Sequence, residues 1–379
     1  MTLAGPAGPV ERSRLEDTFV ALCEIASPSG HEAGVAAFVR SELESLGLAV
    51  EEDATAVETG AACGNLYARI PGPEFARSVM LCAHLDTVPL ADRVEVELVD
   101  GIYRNRREAI LGADNKAAVA MLLEIARDCV ATPAPVGVEL VFTASEENGL
   151  RGAKAFDVSR LEADFGYVFD HASPIGELIV AAPTYYHVTG EFVGRAAHSG
   201  LRPEEGRNAI VAAARAIGAL QLGRIDEETT ANVGVIGGGT ATNVVAERCH
   251  VEGEVRSLDD DKASARMQEM VDTLTWAASE AETDVDVSVE EQFRAYRIAA
   301  SEPVLLTAEA ALRDRGVTPV HTATGGGSDA HAFIGKGFRC LNIANGTEAN
   351  HTADERVSAA ALTTMLAVTK RLLARAAEV

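Results

Sequence analysis

The sequence predicts an α/β protein of two domains, in which a mixed, mostly parallel sheet lies between helices and a smaller α+β domain is inserted. Three observations predict this fold. The chain has 379 residues, which is more than one hydrophobic core usually contains. Short apolar runs alternate with helical patterns through the first 183 residues, as they do in parallel sheets that are covered by helices. The order of the patterns then changes, and the first style returns near residue 293.

The first part of the chain begins with two helical patterns. Apolar residues recur at helical spacing over Glu11–Ala26 and Glu32–Leu46, and Ser-Pro-Ser-Gly at 27–30 separates them. A longer helix is predicted over Lys116–Val130. The short apolar runs predict strands at Asn65–Ile70, Ser78–Leu85, Val136–Ala144, Phe165–Asp170 and Glu177–Ala182.

Residues 184–292 predict a domain that is complete in itself. The patterns there follow the order strand, helix, strand, strand, helix, strand, which is the ferredoxin-like βαββαβ plan. After it, helices are predicted over Glu302–Arg315 and from Val357, with strands at Pro319–Ala323 and Arg339–Ala344. We therefore expect residues 1–183 and 293–379 to form one discontinuous domain and 184–292 to form a smaller domain inserted into it.

Composition excludes several classes of function. Acidic residues outnumber basic ones 57 to 33, for a net charge of -24, so the protein repels nucleic acid and anionic lipid. No apolar run is long enough to span a bilayer. The six cysteines are scattered, with no C-x-x-C pair, which argues against a disulfide scaffold and a thiolate zinc site. Met1–Val10 has no features of a secretory signal, so we expect a cytoplasmic location.

Residues that can bind metal stand where the predicted strands end. Because catalytic side chains of open α/β sheets cluster at the carboxyl ends of the strands, we expect these residues to meet at one edge. They are His84, Asp86, Asp114, Glu146, Glu147, Asp170 and His351.

Two short patterns suggest which of these residues bind metal and which support the ligands or transfer protons. In an extended chain His84 and Asp86 point to the same side, so one can bind metal while the other steadies it. Glu146 and Glu147 point apart, which suits one metal ligand and one general base. Each pattern alone also has an ordinary interpretation, namely a surface pair or a solvated helix start.

Eight short stretches occur in order along nearly the whole chain, namely Ala83–Pro89, Gly112–Lys116, Ala144–Gly152, Ala196–Gly200, Gly239–Val245, Gly253–Ser257, Gly325–Ala330 and His351-Thr352. Together they resemble the M20 family of dinuclear aminoacylases and peptidases, and within it the peptidase T-like tripeptidases. Each stretch is short, but all of them in order are highly specific. The resemblance implies a zinc-peptidase-like catalytic domain, and it implies that the domain at 184–292 is a lid that also forms a dimer.

The resemblance implies two divalent metal ions in each subunit. Asp114 would bridge them, with His84 and Asp170 completing one coordination shell and Glu147 and His351 completing the other. We expect zinc, although carboxylate and imidazole ligands also accept cobalt and manganese.

Two further residues would act beside the metals. By the resemblance Glu146 is the general base, and Asp86 is the partner that holds the His84 side of the site. Glutamine at position 146 could not take a proton, and each of these positions has the residue type that the resemblance requires, so we expect an active enzyme.

The remaining predicted residues would contact the substrate. The resemblance assigns the oxyanion to His198, a substrate carboxylate to Arg256 with Asn243 as its companion, and a place beside the substrate to Gly326 and Gly327. A surface histidine, a surface ion pair and a flexible turn are the ordinary alternatives for these positions.

Together these observations predict a peptidase that releases the N-terminal residue of a tripeptide. The nearest alternative is an enzyme with the same metal site that acts on N-acyl amino acids or dipeptides. The metal ligands act on the scissile amide and do not select the groups on either side of it. A non-catalytic peptide- or metal-binding protein is the remote alternative. The expected partners are a short peptide and, through the lid, a second copy of the chain, with no nucleic acid and no membrane.

Overall fold

The computed structural model describes residues 13–378, which form two compact units. The first unit contains residues 13–180, 298–322 and 328–378. The second contains Ala181–Arg297 and Ala323–Gly327. The lid that we predict at 184–292 falls inside the second unit, and its boundaries stay a prediction.

The chain up to residue 182 supplies most of the first unit. Its helices are α1 (Arg14–Cys23), α2 (Ala33–Ser45), α3 (Ala56–Thr59), α4 (Ala113–Ala131), α5 (Arg151–Ala155) and a 3₁₀ turn at Val158–Arg160. Its strands are β1 (Val50–Glu52), β2 (Leu66–Ile70), β3 (Ser78–His84), β4 (Val96–Val99), β5 (Ile102–Asn105), β6 (Gly137–Thr143), β7 (Phe165–His171) and β8 (Glu177–Ala182). The start that we predict for the first helix, Glu11, lies outside the described residues.

The rest of the chain completes both units. The second unit contains β9 (Thr184–Val193), a 3₁₀ turn at Pro203–Glu205, α6 (Ala209–Ala219), β10 (Gly223–Arg224), β11 (Thr229–Gly238), β12 (Arg248–Ser257), α7 (Asp260–Glu280), β13 (Asp284–Phe293) and β14 (Tyr296–Arg297). The chain then adds α8 (Pro303–Asp314), β15 (Val320–Ala323), α9 (Asp329–Gly335), β16 (Cys340–Ala344), β17 (Thr347–Glu348), β18 (Arg356–Ser358) and α10 (Ala359–Ala376).

The main sheet of the first unit has its parallel strands at the centre. Its order is β1-β2-β6-β3-β7-β16-β8, and β6, β3, β7 and β16 run parallel. Every residue of β3 and β6 is buried, as expected of strands that are covered on both faces. The predicted mixed, mostly parallel sheet is confirmed, and its central strands end at one edge.

A second sheet of the first unit was not predicted. It has the order β17-β18-β5-β4, and its strands are only two to four residues long. Such short strands give no readable periodicity. Its β17 and β18 flank the loop that carries His351.

Helix α4 packs in the core of the first unit. Most of its residues are buried among α1, α2, α10 and the sheet, and Phe19 and Tyr103 meet edge to face nearby at 5.4 Å. None of the described helices is both long and apolar enough to cross a membrane.

The second unit is an antiparallel sheet with helices on one face. Its order, β10-β11-β12-β9-β13, places the four long strands in the ferredoxin-like arrangement. Helices α6 and α7 bury a core with Val188, Phe192 and Leu274. Asn208 and Asp259 cap these helices by accepting the backbone N–H of Val211 and Lys262.

Candidate metal centre

The five residues predicted as metal ligands all lie in the first unit, close to the ends of its central strands. His84 is the last residue of β3, and Asp170 is near the end of β7. Glu147 follows β6, Asp114 begins α4, and His351 lies between β17 and β18. The parallel pairing of β3 with β6 and β7 therefore brings chain segments that are distant in sequence to one edge.

Asp114 is shared by two groups of side chains. Its Oδ1 lies 3.4 Å from His84 Nε2, which is 3.5 Å from Asp170 Oδ1. Its Oδ2 lies 3.4 Å from His351 Nε2, which is 3.0 Å from Glu147 Oε1. The two oxygens of Asp114 thus face different imidazoles, which is the geometry of a bridging carboxylate. In each group the potential ligand atoms lie within 4.8 Å of one another.

Both groups fit a divalent metal ion. Ligand atoms on one tetrahedral zinc lie about 3.3 Å apart, because each is about 2.0–2.2 Å from the metal. The N···O contacts of 3.0 to 3.5 Å match that separation. His84 Nε2 and Asp114 Oδ1 are buried, and no described residue forms a hydrogen bond with either atom. The donor set suits zinc, cobalt and manganese alike.

The charge of the centre also favours a cation. Burial alone would lower the pKa of His84, but the carboxylates of Asp114, Asp170 and Asp86 outweigh it and raise that pKa well above its ordinary value. Hydrogen bonds to Asp114 and Glu147 raise the pKa of His351 to about 10. The negative field that raises the pKa of both imidazoles also attracts metal cations.

Asp86 holds the turn that carries the acidic pair. Its Oδ1 accepts the backbone N–H of Glu146 at 2.9 Å, and its Oδ2 accepts that of Glu147 at 3.0 Å and the Ser29 hydroxyl at 2.6 Å. The nearest acceptor for His84 Nδ1 is the backbone carbonyl of Asp86 at 3.0 Å, whereas Asp86 Oδ1 is 3.5 Å away. The carboxylate that we predicted to steady His84 therefore contacts the Glu146–Glu147 turn more closely.

Glu146 lies beside both groups. Its carboxylate is within 4.8 Å of ligand atoms of His84 and Glu147. Burial, followed by the negative charges of Asp170, Asp329 and Glu147, raises its pKa well above the ordinary value, although His84 opposes this. A carboxylate with a raised pKa at this place can take up and return a proton.

Glu32 is a buried residue of the site that the sequence did not indicate. Its Oε1 accepts the backbone N–H of Ser145 at 3.2 Å and its hydroxyl at 3.1 Å, together with the backbone N–H of Gly30 at 2.8 Å. Ser145 precedes the acidic pair and has a left-handed backbone with φ of 53°. Such a conformation costs about 1–3 kcal/mol in a non-glycine residue, so it needs support from its surroundings. Glu32 supplies that support.

Glu355 is a second residue that the sequence did not indicate. It is 1% exposed, and it accepts the backbone N–H of Gly112 at 2.7 Å and of Asp114 at 2.8 Å. Burial raises its pKa to about 7. Its position four residues after His351 was the available signal. Glu355 ties the loop of one proposed ligand to the segment of another.

Asp329 is a buried carboxylate at the start of α9. It is 1% exposed, its Oδ2 accepts the Thr143 hydroxyl at 2.5 Å, and no described residue hydrogen-bonds to its Oδ1. Burial raises its pKa to about 7, and the charge of Asp170 adds to the effect. Asp329 belongs to the quoted Gly325–Ala330 stretch, but nothing in the sequence distinguished it from a helix cap.

The second unit carries His198 and Asn243, whose backbones are joined. The N–H of Ser199 donates to the carbonyl of Asn243 at 3.1 Å, and both predicted residues are exposed. His198 Nδ1 accepts the backbone N–H of Gly200 at 3.2 Å. In a neutral ring this leaves the proton on Nε2, so His198 presents an N–H donor to solvent.

Arg256 has three kinds of neighbour within the second unit. Its Nη2 pairs with Glu254 at 3.0 Å, and its Nη1 donates to the carbonyl of Gly325 at 2.9 Å. Its guanidinium carbon lies 4.1 Å from the centre of the Tyr185 ring. The ordinary alternative, an ion pair with an acid, is thus present, but it engages only part of the guanidinium.

Gly326 and Gly327 differ in what surrounds them. A Cβ at Gly326 would find Thr324 Oγ1 as its nearest neighbour, at 3.5 Å. A Cβ at Gly327 would come within 2.5 Å of the Phe293 ring. The described contacts therefore require glycine at 327 because an aromatic ring fills the space, which is a different reason from the close ligand approach that we expected.

Comparison with known proteins covers both units. The profile described as "Peptidase dimerisation domain" matches residues 184–282, and that of "Peptidase family M28" matches residues 65–173. The uncharacterized protein YqjE of Bacillus subtilis (strain 168) is 36% identical over 92% of this chain and 94% of its own length.

Two solved structures are similar over almost their whole length. Aminopeptidase PepT from Bacillus cereus is 34% identical with a TM-score of 0.86, and the alignment covers 96% of this chain and 98% of that one. A tripeptidase from Staphylococcus aureus is 33% identical with a TM-score of 0.91, and the alignment covers 97% and 98%.

Proposed function

This chain belongs to the M20 family of metallopeptidases, in its peptidase T-like subgroup, and from that premise we propose that it releases the N-terminal residue of tripeptides. Metal-dependent peptide hydrolysis follows from the family itself. The interpretation as an enzyme is confirmed, and that as a non-catalytic binding protein is not retained. The two similar structures that are named aminopeptidase and tripeptidase support the narrower substrate.

The observation that carries the proposal is the pair of ligand groups that share Asp114, with Glu146 beside both. His84 and Asp170 would hold one divalent ion together with Asp114, and Glu147 and His351 would hold the other. Bound ions of this kind polarise the scissile carbonyl and lower the pKa of the attacking water.

Glu146 acts as the general base and then as the general acid. It accepts the proton that the attacking water loses and returns it to the departing amine. Its burial keeps that proton from bulk water, and Asp86 fixes its backbone through the 2.9 Å hydrogen bond. His198, from this subunit or from a neighbouring one, would donate its Nε2–H where negative charge develops on the carbonyl oxygen.

The substrate is bound by its carboxyl terminus. Arg256 binds the carboxylate of the peptide through a guanidinium whose planar donors suit that group, and Asn243 and the Gly326–Gly327 segment lie beside it. Short peptides offer this group close to the scissile bond, and long chains do not.

The test is turnover of a mixed panel by zinc-loaded protein, followed by mass spectrometry. The panel contains free tripeptides, dipeptides, N-blocked peptides and N-acyl amino acids. Glu146→Gln should bind metal and substrate but turn over at least about 100-fold more slowly, because an amide cannot accept the proton. Glu74→Gln, at an exposed position outside the centre, is the matched control and should behave as wild type.

Each outcome separates one part of the proposal from the others. Loss of one N-terminal residue from tripeptides, absent in Glu146→Gln, supports the proposal. Cleavage confined to acyl amino acids or dipeptides keeps the metal site and overturns the substrate. Near-normal turnover by Glu146→Gln removes this residue from the role of base.

We also propose that the second unit forms a homodimer, in line with its match to a dimerisation domain. Strand β10 pairs only with Ala231 and Thr230 of β11, so the outer edge of β11 from residue 233 to 238 has no partner strand among the described residues. Val235 and Ile236 on this edge are 46% and 50% exposed. Open, apolar edges pair readily with a second chain. Val235→Lys should therefore give a monomer in light scattering, and an unchanged dimer would exclude this edge.

A further inference from the structure

Three residues form one cross-strand row on the polar face of the second unit's sheet. Arg256 on β12 lies directly opposite Tyr185 on β9, and Tyr185 lies opposite Phe293 on β13. The register of β13 shifts between Glu291 and Phe293, and this irregularity brings Phe293 into line with Tyr185. Side chains opposite each other in a sheet share one face, so the three can touch.

The side chains of this row are in contact from end to end. The rings of Phe293 and Tyr185 meet edge to face at 5.4 Å. The other side of Tyr185 carries the Arg256 guanidinium, 4.1 Å from the ring centre. At that distance the guanidinium is attracted to the face of the ring, which restricts its position.

The segment Gly325–Gly327 contacts the residues at both ends of the row. The Gly325 carbonyl accepts a hydrogen bond from Arg256 Nη1, and Phe293 fills the space that a side chain at 327 would need, with Cε1 and Cζ at 2.5 and 2.6 Å from a Cβ placed there. A change at either end is therefore transmitted to the arginine.

The orientation of Arg256 needs this support. Its Nε is buried, and no described residue accepts a hydrogen bond from it. A buried donor without a partner is unfavourable, so a free arginine would turn to satisfy it. Glu254 alone engages Nη2 and does not fix the rotation of the group.

We propose that Tyr185, Phe293 and Gly327 are positioning residues, which hold the Arg256 guanidinium ready for the terminal carboxylate of a peptide and so set the preference for free acids over C-terminal amides. This inference rests on the proposed function, because it takes Arg256 as the group that binds the carboxylate. It adds the residues that make a flexible side chain selective.

The test compares Leu-Gly-Gly with its C-terminal amide. Tyr185→Leu removes the aromatic face, and Gly327→Ala displaces Phe293. Both should raise KM for the free acid about 3- to 30-fold, the range that the loss of one cation–π contact gives, and so reduce the preference for the acid over the amide. Tyr185→Leu should leave kcat and the KM for the amide unchanged. Tyr185→Phe keeps the ring and should restore the wild-type preference. Gly218→Ala, at an exposed helical glycine of the same unit with no atom within 4 Å of the new Cβ, is the matched control.

The possible results separate the positioning role from the proposed function. If wild type prefers the acid and Tyr185→Leu and Gly327→Ala keep the same preference, the positioning role is wrong and the function stands. If wild type and Arg256→Ala treat acid and amide alike, Arg256 does not bind the carboxylate. If wild type cleaves neither peptide, crystal structures of Tyr185→Leu and Tyr185→Phe decide the inference independently of activity. A guanidinium that stays in place in Tyr185→Leu would overturn it.

Discussion

Asp86→Asn tests most directly how the centre holds its acidic pair. The carboxylate accepts two backbone N–H groups at 2.9 and 3.0 Å, one on each oxygen. An amide of the same shape has one acceptor oxygen, so the N–H of Glu146 or of Glu147 would face an NH₂ group. The lost charged acceptor and the unpaired buried donor together cost about 2–4 kcal/mol. If the displaced turn bears the whole cost, kcat/KM falls about 30- to 1,000-fold.

The assay for Asp86→Asn combines kcat/KM on a tripeptide with metal content and urea unfolding. Ser29→Ala is the control, because it removes the hydroxyl that donates to Asp86 and leaves both backbone hydrogen bonds. That variant should lose less than about tenfold. A kcat/KM within about threefold of wild type, at full metal content and unchanged stability, would refute the role of Asp86. Loss of metal with normal turnover after reloading would instead favour a role in steadying His84.

Three further predictions concern the same unit. Glu355→Ala leaves the N–H groups of Gly112 and Asp114 without their acceptor, so it should weaken metal binding in calorimetry and destabilise the protein to urea by about 2–6 kcal/mol, and equal affinity and stability would contradict this. Burial raises the pKa of Glu139. From the ordinary glutamate pKa of about 4.3 up to that raised value, the native state holds more protons than the unfolded chain, so wild-type stability falls as pH rises. Glu139→Gln lacks this slope, so its free energy of unfolding should rise relative to that of wild type as pH increases above about 4.3, measured with a chelator present. Chelation itself should lower Tm reversibly by several degrees, because the cations bind only the folded state, and an unchanged Tm would argue against occupied sites.

The main elements of the first unit follow closely from local patterns. Every residue of Val79–Ala83, and every residue of Val138–Phe142 except Glu139, is apolar because both faces of these strands are buried, and this is visible in the sequence. The sheet of β4, β5, β17 and β18 is not visible, since its strands are too short for a periodicity and pair segments about 250 residues apart. Those pairings depend on tertiary contacts.

The metal centre, too, could be predicted only in part from the sequence. His84, Asp114, Glu147, Asp170 and His351 follow from the resemblance, and the structure brings them together, while their roles as ligands stay a prediction. The supporting residue Glu32 could not be inferred, because it accepts a backbone N–H of a distant segment and leaves no pattern of its own. For Glu355 the position four residues after His351 was a signal, but it does not reveal which backbone N–H groups the carboxylate accepts.

The contacts of Asp86 also needed coordinates. The H-x-D spacing places His84 and Asp86 on one side of a strand, which suggests that they interact. Strand β3 ends at His84, however, so Asp86 has left the extended chain and its carboxylate reaches the turn after β6. A prediction from the alternation of side chains along a strand holds only up to the residue at which the strand ends.

A test of carboxylate binding by Arg256 does not distinguish the candidate substrates from one another. Tripeptides, dipeptides and N-acyl amino acids all end in a free carboxylate, so an arginine held for that group accepts each of them. What separates them is the other end, where a peptide has an ammonium group and an acyl amino acid has none. Comparing a tripeptide with its N-acetyl derivative is therefore the decisive pair for an aminopeptidase. Equal kcat/KM for the two would show that the protein does not recognise the free N-terminus, whatever Arg256 does.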